Sequence, residues 1–207
     1  MKKMLASLSL LLASSLAFAQ GGKPTMEQTI DYIQANHPKN IEYVLTHNFE
    51  NRIFLNAGGD ITDINYTFDG SKVRVTFRHV RWDNEVSAGG ISPRNVVKDE
   101  NVDVAFDFKD IEELAAGVYN SIGMVEYAAA SEGGGPLFLI FKAVNRKNLI
   151  KVKTNGELTE VPQVWIPFNV DLAGTDHRAM HDAPNTQLFK AFDHLRKLSG
   201  APEPISF

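Results

Sequence analysis

Two spacings of apolar residues divide this chain. Near the start, Met26, Ile30 and Ile33 recur at helical intervals, with Glu27, Gln28, Asp31 and Gln34 turned away from them. Thr25 before this run and Gln28 three residues later are the side chains that cap a helix reciprocally. His37-Pro38 ends the helix, because the residue before a proline avoids helical backbone angles. From Ile41 to about Val170 the apolar positions follow strand spacing instead. Ile64, Tyr66 and Phe68 alternate with polar neighbours, Asp69-Gly70-Ser71 supplies a turn, and Val73, Val75 and Phe77 alternate again, which predicts a hairpin. Val102, Val104, Phe106 and Phe108 form another such run. Leu137 to Val144, after Gly133-Gly134-Gly135-Pro136, is an apolar stretch broken only by Lys142 and reads as a well-buried strand. Ile150 and Val152 face opposite to Leu149, Lys151 and Lys153, and Asn155-Gly156 then turns the chain. Gln163 to Asp171 predicts a late strand that Pro162 and Pro167 confine to a sheet edge. Ile111 to Tyr127 fits two readings equally, a short helix around Glu112, Glu113 and Leu114 or a strand over Val118 to Tyr127.

A second helix closes the pattern. Pro184 with Asn185 or Thr186 starts it, and Leu188, Phe189, Phe192, Leu195 and Leu198 make its apolar stripe. Lys190, Arg196 and Lys197 suit the negative end of its dipole, while Gly200 and Pro202 stop it. The predicted order is helix, about six to eight antiparallel strands, helix, which is an α+β domain.

Composition narrows the setting. The chain has 207 residues, within the range of one domain once a leader is removed, and it carries no cysteine. Thiol chemistry, cysteine metal sites and lipid attachment through a cysteine are therefore excluded. Lys2 and Lys3, the apolar stretch Met4 to Leu16 and Ala17-Phe18-Ala19 have the three-part order of an export signal, so residues 1–19 read as a cleavable signal peptide and 20–207 as the mature domain. That run is shorter than the ~20 residues a membrane-spanning helix needs, and no later run approaches this length. The expected location is the periplasm or the medium. With 21 basic against 25 acidic residues, the chain lacks the basic footprint of a nucleic-acid binder.

Both ends of the domain carry a resemblance. The segment Leu188-Phe189-Lys190-Ala191-Phe192-Asp193-His194-Leu195-Arg196-Lys197-Leu198 resembles the ending of small exported bacterial domains with a pleckstrin-homology-like barrel. Thr25-Met26-Glu27-Gln28-Thr29-Ile30-Asp31-Tyr32-Ile33 is similar to the helix that precedes their barrel. The middle of the chain matches only as a strand pattern. The resemblance implies a bent antiparallel sheet or barrel with one open end capped by the C-terminal helix. It further implies a role in binding peptides or lipid head groups, and it carries no catalytic motif across.

Two clusters are candidate sites. Arg74 and Arg78 alternate with Val75 and Phe77, so they share the outward face of one strand; with Trp82 they form a cationic and aromatic patch suited to a carboxylate or an anionic head group. His177 and His181 stand four residues apart within Asp176-His177-Arg178-Ala179-Met180-His181-Asp182, a spacing that lets two imidazoles share a metal on one helical face, with Asp182 or Asp176 as a hard ligand. Gly174 and Pro184 around that cluster favour a loop, and no glutamate stands where a metalloprotease helix needs one. Glu132-Gly133-Gly134-Gly135-Pro136 precedes a strand rather than a helix and so reads as a connection, not a phosphate loop. No serine stands in a G-x-S-x-G elbow. The expectation is a binding module without a cofactor, for a peptide, protein or small polar ligand. The alternatives are a metal-dependent hydrolase using His177 and His181, and an envelope structural or assembly protein.

Overall fold

A computed structural model describes residues 23–48, 54–87, 90–91, 95–120, 123–126, 137–169, 184 and 186–203. The expected signal peptide, the glycine run at 133–135 and the cluster around His177, His181 and Asp182 lie outside these residues.

Helix α1 spans Met26–Asn36, and its N-terminus is fixed as the sequence predicts. The Thr25 hydroxyl accepts from the Gln28 backbone N–H at 3.3 Å, and the Thr25 N–H donates to Gln28 Oε1 at 2.9 Å, so two orphan donors are satisfied. Helix α2 spans Gln187–Leu198 with Thr186 as its N-cap. Gly200 follows at a φ of +78°, a conformation that suits glycine as a helix stop. The two helices meet, and His194 Nε2 lies 2.8 Å from the Pro24 carbonyl at the start of α1.

Between the helices run β1 (Ile41–Asn48), β2 (Phe54–Asp69), β3 (Lys72–Ser87), β4 (Gly90–Ile91), β5 (Asn95–Asp107), β6 (Ile111–Asn120) and β7 (Gly123–Glu126). They are followed by β8 (Leu137–Ala143), β9 (Ile150–Thr154), β10 (Glu157–Val161) and β11 (Gln163–Asn169). Among the described residues all pairings are antiparallel. One sheet has seven strands in the order β1-β2-β3-β5-β9-β10, with β4 beside β3; the other has four, in the order β11-β8-β6-β7. The open choice at Ile111–Tyr127 resolves to strands β6 and β7. Among the described residues no strand pair joins the two sheets. The α+β architecture with flanking helices thus stands, while a closed barrel is not formed by the pairing seen.

The core lies between the sheets and under α2. β3 buries Val73, Val75 and Phe77, β5 buries Val104 and Phe106, and β8 buries Leu137, Leu139 and Phe141. Phe141 is the hub: its ring centroid is 4.9 Å from that of Phe106 and 5.8 Å from that of Phe192 on α2. One irregularity sets which β2 residues reach this core. The register shifts between Thr62, opposite Arg78, and Asn65, opposite Thr76, so Asp63 and Ile64 together oppose Phe77. Asp63 takes a φ of +57° and donates its N–H to Asn40 Oδ1 at 3.2 Å. With that extra residue Ile61 faces inward before the bulge, and Ile64 and Tyr66 do so after it.

Candidate functional site

The outer face of the seven-stranded sheet is the surface on which the sequence places Arg74 and Arg78, and both side chains are exposed there. Strand alternation sets them opposite to the buried Val73, Val75 and Phe77. Neither arginine stands alone. Arg74 Nε and Nη2 donate to the two carboxylate oxygens of Asp103 at 2.8 and 2.7 Å. Arg78 makes the same two-pronged contact to Asp99 at 2.9 and 2.7 Å. The directly paired residues are Ala105 and Asn101, so each aspartate stands two positions beyond its arginine's partner and both ion pairs run on the same diagonal.

These pairs belong to a larger arrangement. On the exposed side β2 presents Asp63 and Asp69, β3 Lys72, Arg74 and Arg78, β5 Asp99 and Asp103, β9 Lys151 and Lys153, and β10 Glu160. Acidic and basic strands therefore alternate across the sheet. A guanidinium donating two hydrogen bonds holds the Asp103 carboxyl below the usual carboxylate range, against the opposing effect of partial desolvation; Asp99 is lowered by Arg78 for the same reason. Lys153 stands directly across from Asp103 and lowers its carboxyl further. At the turn after β9, Asn155 adopts a φ of +49° and accepts the Asn101 N–H at 2.8 Å, tying that turn to β5.

Two shallow depressions mark this face. One, of about 610 Å³, is bordered by Asp63, Arg78, Asn101, Asp103, Lys153 and Asn155. The other, of about 540 Å³, is bordered by Lys72, Arg74, Asp107 and Lys151 among others. Arg74 lines the second and its partner Asp103 the first, so one ion pair spans the divide.

Trp82 occupies a different setting from the expected one. It has the same strand parity as Arg74 and Arg78, yet it is only 3% exposed. Its direct partner on β2 is Gly58, and its indole fills the space that a side chain there would need. Trp82 is thus a packed residue and not an open aromatic wall, because glycine opposite lets the ring lie down on the sheet. A glycine pair (Gly58-Gly59) facing Arg81-Trp82 was the sequence signal for this. The aspartates at 99 and 103 and Lys153 also escape local reading, since only strand pairing brings them to the arginines.

Among the described residues no group of three or more metal-ligating side chains converges. His177, His181 and Asp182 lie outside the described residues. Two polar groups inside the molecule tie elements together. Arg196, 3% exposed, donates to the carbonyls of Glu112 and Pro202 at 3.1 and 2.7 Å and to Asp193 at 3.0 Å, fastening α2 to β6 and to the chain beyond it. Tyr43 Oη of β1 lies 2.7 Å from His79 Nε2 of β3, where burial pushes the imidazole below its ordinary pKa. No protein-family model matches the chain, nor does any curated protein or solved structure.

Proposed function

We propose that this chain is an exported, non-catalytic binding module whose ligand surface is the outer face of the seven-stranded sheet. The observation that carries the reading is the pair of guanidinium groups already immobilised by Asp103 and Asp99 on an exposed face. A guanidinium has five N–H donors, and each of these spends two on its carboxylate, leaving donors free for a ligand. An arginine ordered before binding loses less rotamer freedom when a ligand arrives, so its hydrogen bonds cost less to form. The mixed sign of the face favours a ligand bearing both charges, such as a peptide, over a polyanion, which the carboxylates would repel. The finer reading of the fold, an open pleckstrin-homology-like barrel closed by α2, belongs to the same proposal. It is supported by Phe189, Phe192 and Leu195 of α2, which enter the core that both sheets share.

The test is a titration of isotope-labelled mature protein with short peptides that each carry one lysine and one glutamate, followed by backbone chemical shifts. Perturbations clustered at Arg78, Asn101, Asp103 and Lys153, reduced at least tenfold in affinity by Lys153→Ala and by raised salt, are the expected result. Shifts scattered over the molecule, or none, would refute the reading. So would stoichiometric zinc in the purified protein that is lost on His177→Ala, which would establish the hydrolase alternative.

A further inference from the structure

The ring of His37 sits where four parts of the molecule meet. It follows α1 as its C-cap residue, it is 3% exposed, and it packs at a centroid distance of 4.6 Å against Tyr66 of β2 and 6.3 Å against Phe192 of α2. Its Nδ1 lies 2.9 Å from the Pro38 carbonyl, and its Nε2 lies 2.9 Å from the Pro167 carbonyl of β11 and 3.1 Å from Tyr66 Oη. Counting protons here gives an imbalance. A neutral imidazole has one N–H and one lone pair, whereas carbonyl oxygens only accept. If Nδ1 carries the proton, it donates to Pro38 and Nε2 accepts from the Tyr66 hydroxyl, but the Nε2 lone pair then also confronts the Pro167 carbonyl. If Nε2 carries it, Pro167 is served, the Nδ1 lone pair confronts the Pro38 carbonyl, and Tyr66 loses its acceptor. Only the doubly protonated ring donates to both carbonyls.

Opposing that gain is the surroundings. The Tyr66 phenol and the Phe192 ring offer no counter-charge, and Lys39, two residues on, acts on the ring with a charge of the same sign as an imidazolium. Among the described residues no carboxylate offsets that charge at the ring. Burial therefore favours the neutral ring and local hydrogen bonding favours the cation, which leaves the junction responsive to solvent acidity.

We propose that His37 is a proton-operated junction: when its ring takes up a proton from solvent, the hydrogen bond donated by Tyr66 of β2 is exchanged for a second N–H···O bond to a backbone carbonyl, and the cation formed beside Phe192 loosens the two helices from β2. The neutral state ties α1 and α2 to β2 through Tyr66; the protonated state loses that tie, while the bond to the Pro167 carbonyl of β11 and the β2-β3 pairing persist. No site residue of the outer sheet face takes part, so the junction stands or falls independently of the ligand proposal.

The test uses the full mature chain, with ring proton shifts of His37 and backbone amide exchange followed from pH 7.5 to 3.5. Between pH 6.5 and 4 the protection of residues 26–36 and 187–198, corrected for the intrinsic effect of pH, should fall at least tenfold, while that of residues 73–77 changes less than threefold. His37→Gln, which cannot titrate, should abolish this difference. Tyr66→Phe, which removes the donor serving the neutral ring, should move the His37 titration to higher pH. The proposal is overturned if His37→Gln keeps the same pH dependence, or if the ring titrates in the wild type with both helices unchanged. If His37→Gln does not fold, a Tyr66→Phe protein whose His37 titration does not move upward overturns it as well.

Discussion

The two sheets use the same pairing but treat their faces in opposite ways. In the seven-stranded sheet, β3 and β5 alternate buried valine or phenylalanine with exposed charge, so one face is dry and the other wet. In the four-stranded sheet, β8 reads Leu137-Phe138-Leu139-Ile140-Phe141 and every one of these is buried. Its second face is closed off in part by Trp165, whose ring lies against Gly117 and leaves no room there for a side chain. The difference separates tasks: the four-stranded sheet contributes burial, and the seven-stranded sheet keeps the surface on which chemistry can meet solvent. At about 25 cal/mol per Å² of apolar area removed from water, a strand dry on both sides contributes more per residue than one dry on a single side.

Substitutions in the two regions should therefore differ most. Phe141→Ala, at the contact of Phe106, Phe108 and Phe192, is expected to lower unfolding free energy by about 3–5 kcal/mol, read from the urea midpoint at unchanged slope. An intermediate effect is expected from acid. Burial holds the His37 ring down at about 4 in the folded protein, against 6.5 for an open chain. Between those values the unfolded chain binds more protons, so the stability owed to the neutral ring is complete above pH 6.5, declines as the pH falls, and is lost below about 4. The loss is about 3 kcal/mol, measured as the difference between wild type and His37→Gln in urea titrations across that window. The smallest effect should come from the wet face. Arg74→Ala removes an exposed ion pair and should leave the urea midpoint unchanged. It should nevertheless let the Asp103 carboxyl rise towards its ordinary pKa, visible in its side-chain carbon shifts. A midpoint shift as large as that of Phe141→Ala would erase the distinction between the sheets.

Local pattern made much of this fold legible. The capping box at Thr25 and Gln28, the turn at Gly70, the apolar run from Leu137 and the stripe of Phe189, Phe192 and Leu195 all lie where the spacing of residues puts them, because each is decided within one turn or one hairpin. Strand order is another matter. β5 pairs with β9 across the whole of β6, β7 and β8, and no nearby residue encodes such a partner. The candidate face was half legible for the same reason: alternation exposes Arg74 and Arg78, but their carboxylates come from a strand more than twenty positions away. Trp82 shared the parity of the arginines and was still buried, since alternation says which face a side chain takes and not what covers it. His37 read as a helix stop through its proline neighbour, while its burial depends on β2, β11 and α2 arriving together.

The bulge at Asp63 acts on β2 much as a single inserted letter acts on a reading frame. Upstream of it Ile61 is spelled inward, and downstream Ile64 and Tyr66 are, so the strand carries two phases of one pattern. Removing Asp63 would put the halves in a common frame, turning either Ile61 or the pair Ile64 and Tyr66 out to solvent. An added residue at this corner has already been absorbed. A missing one would have to be compensated along the entire strand.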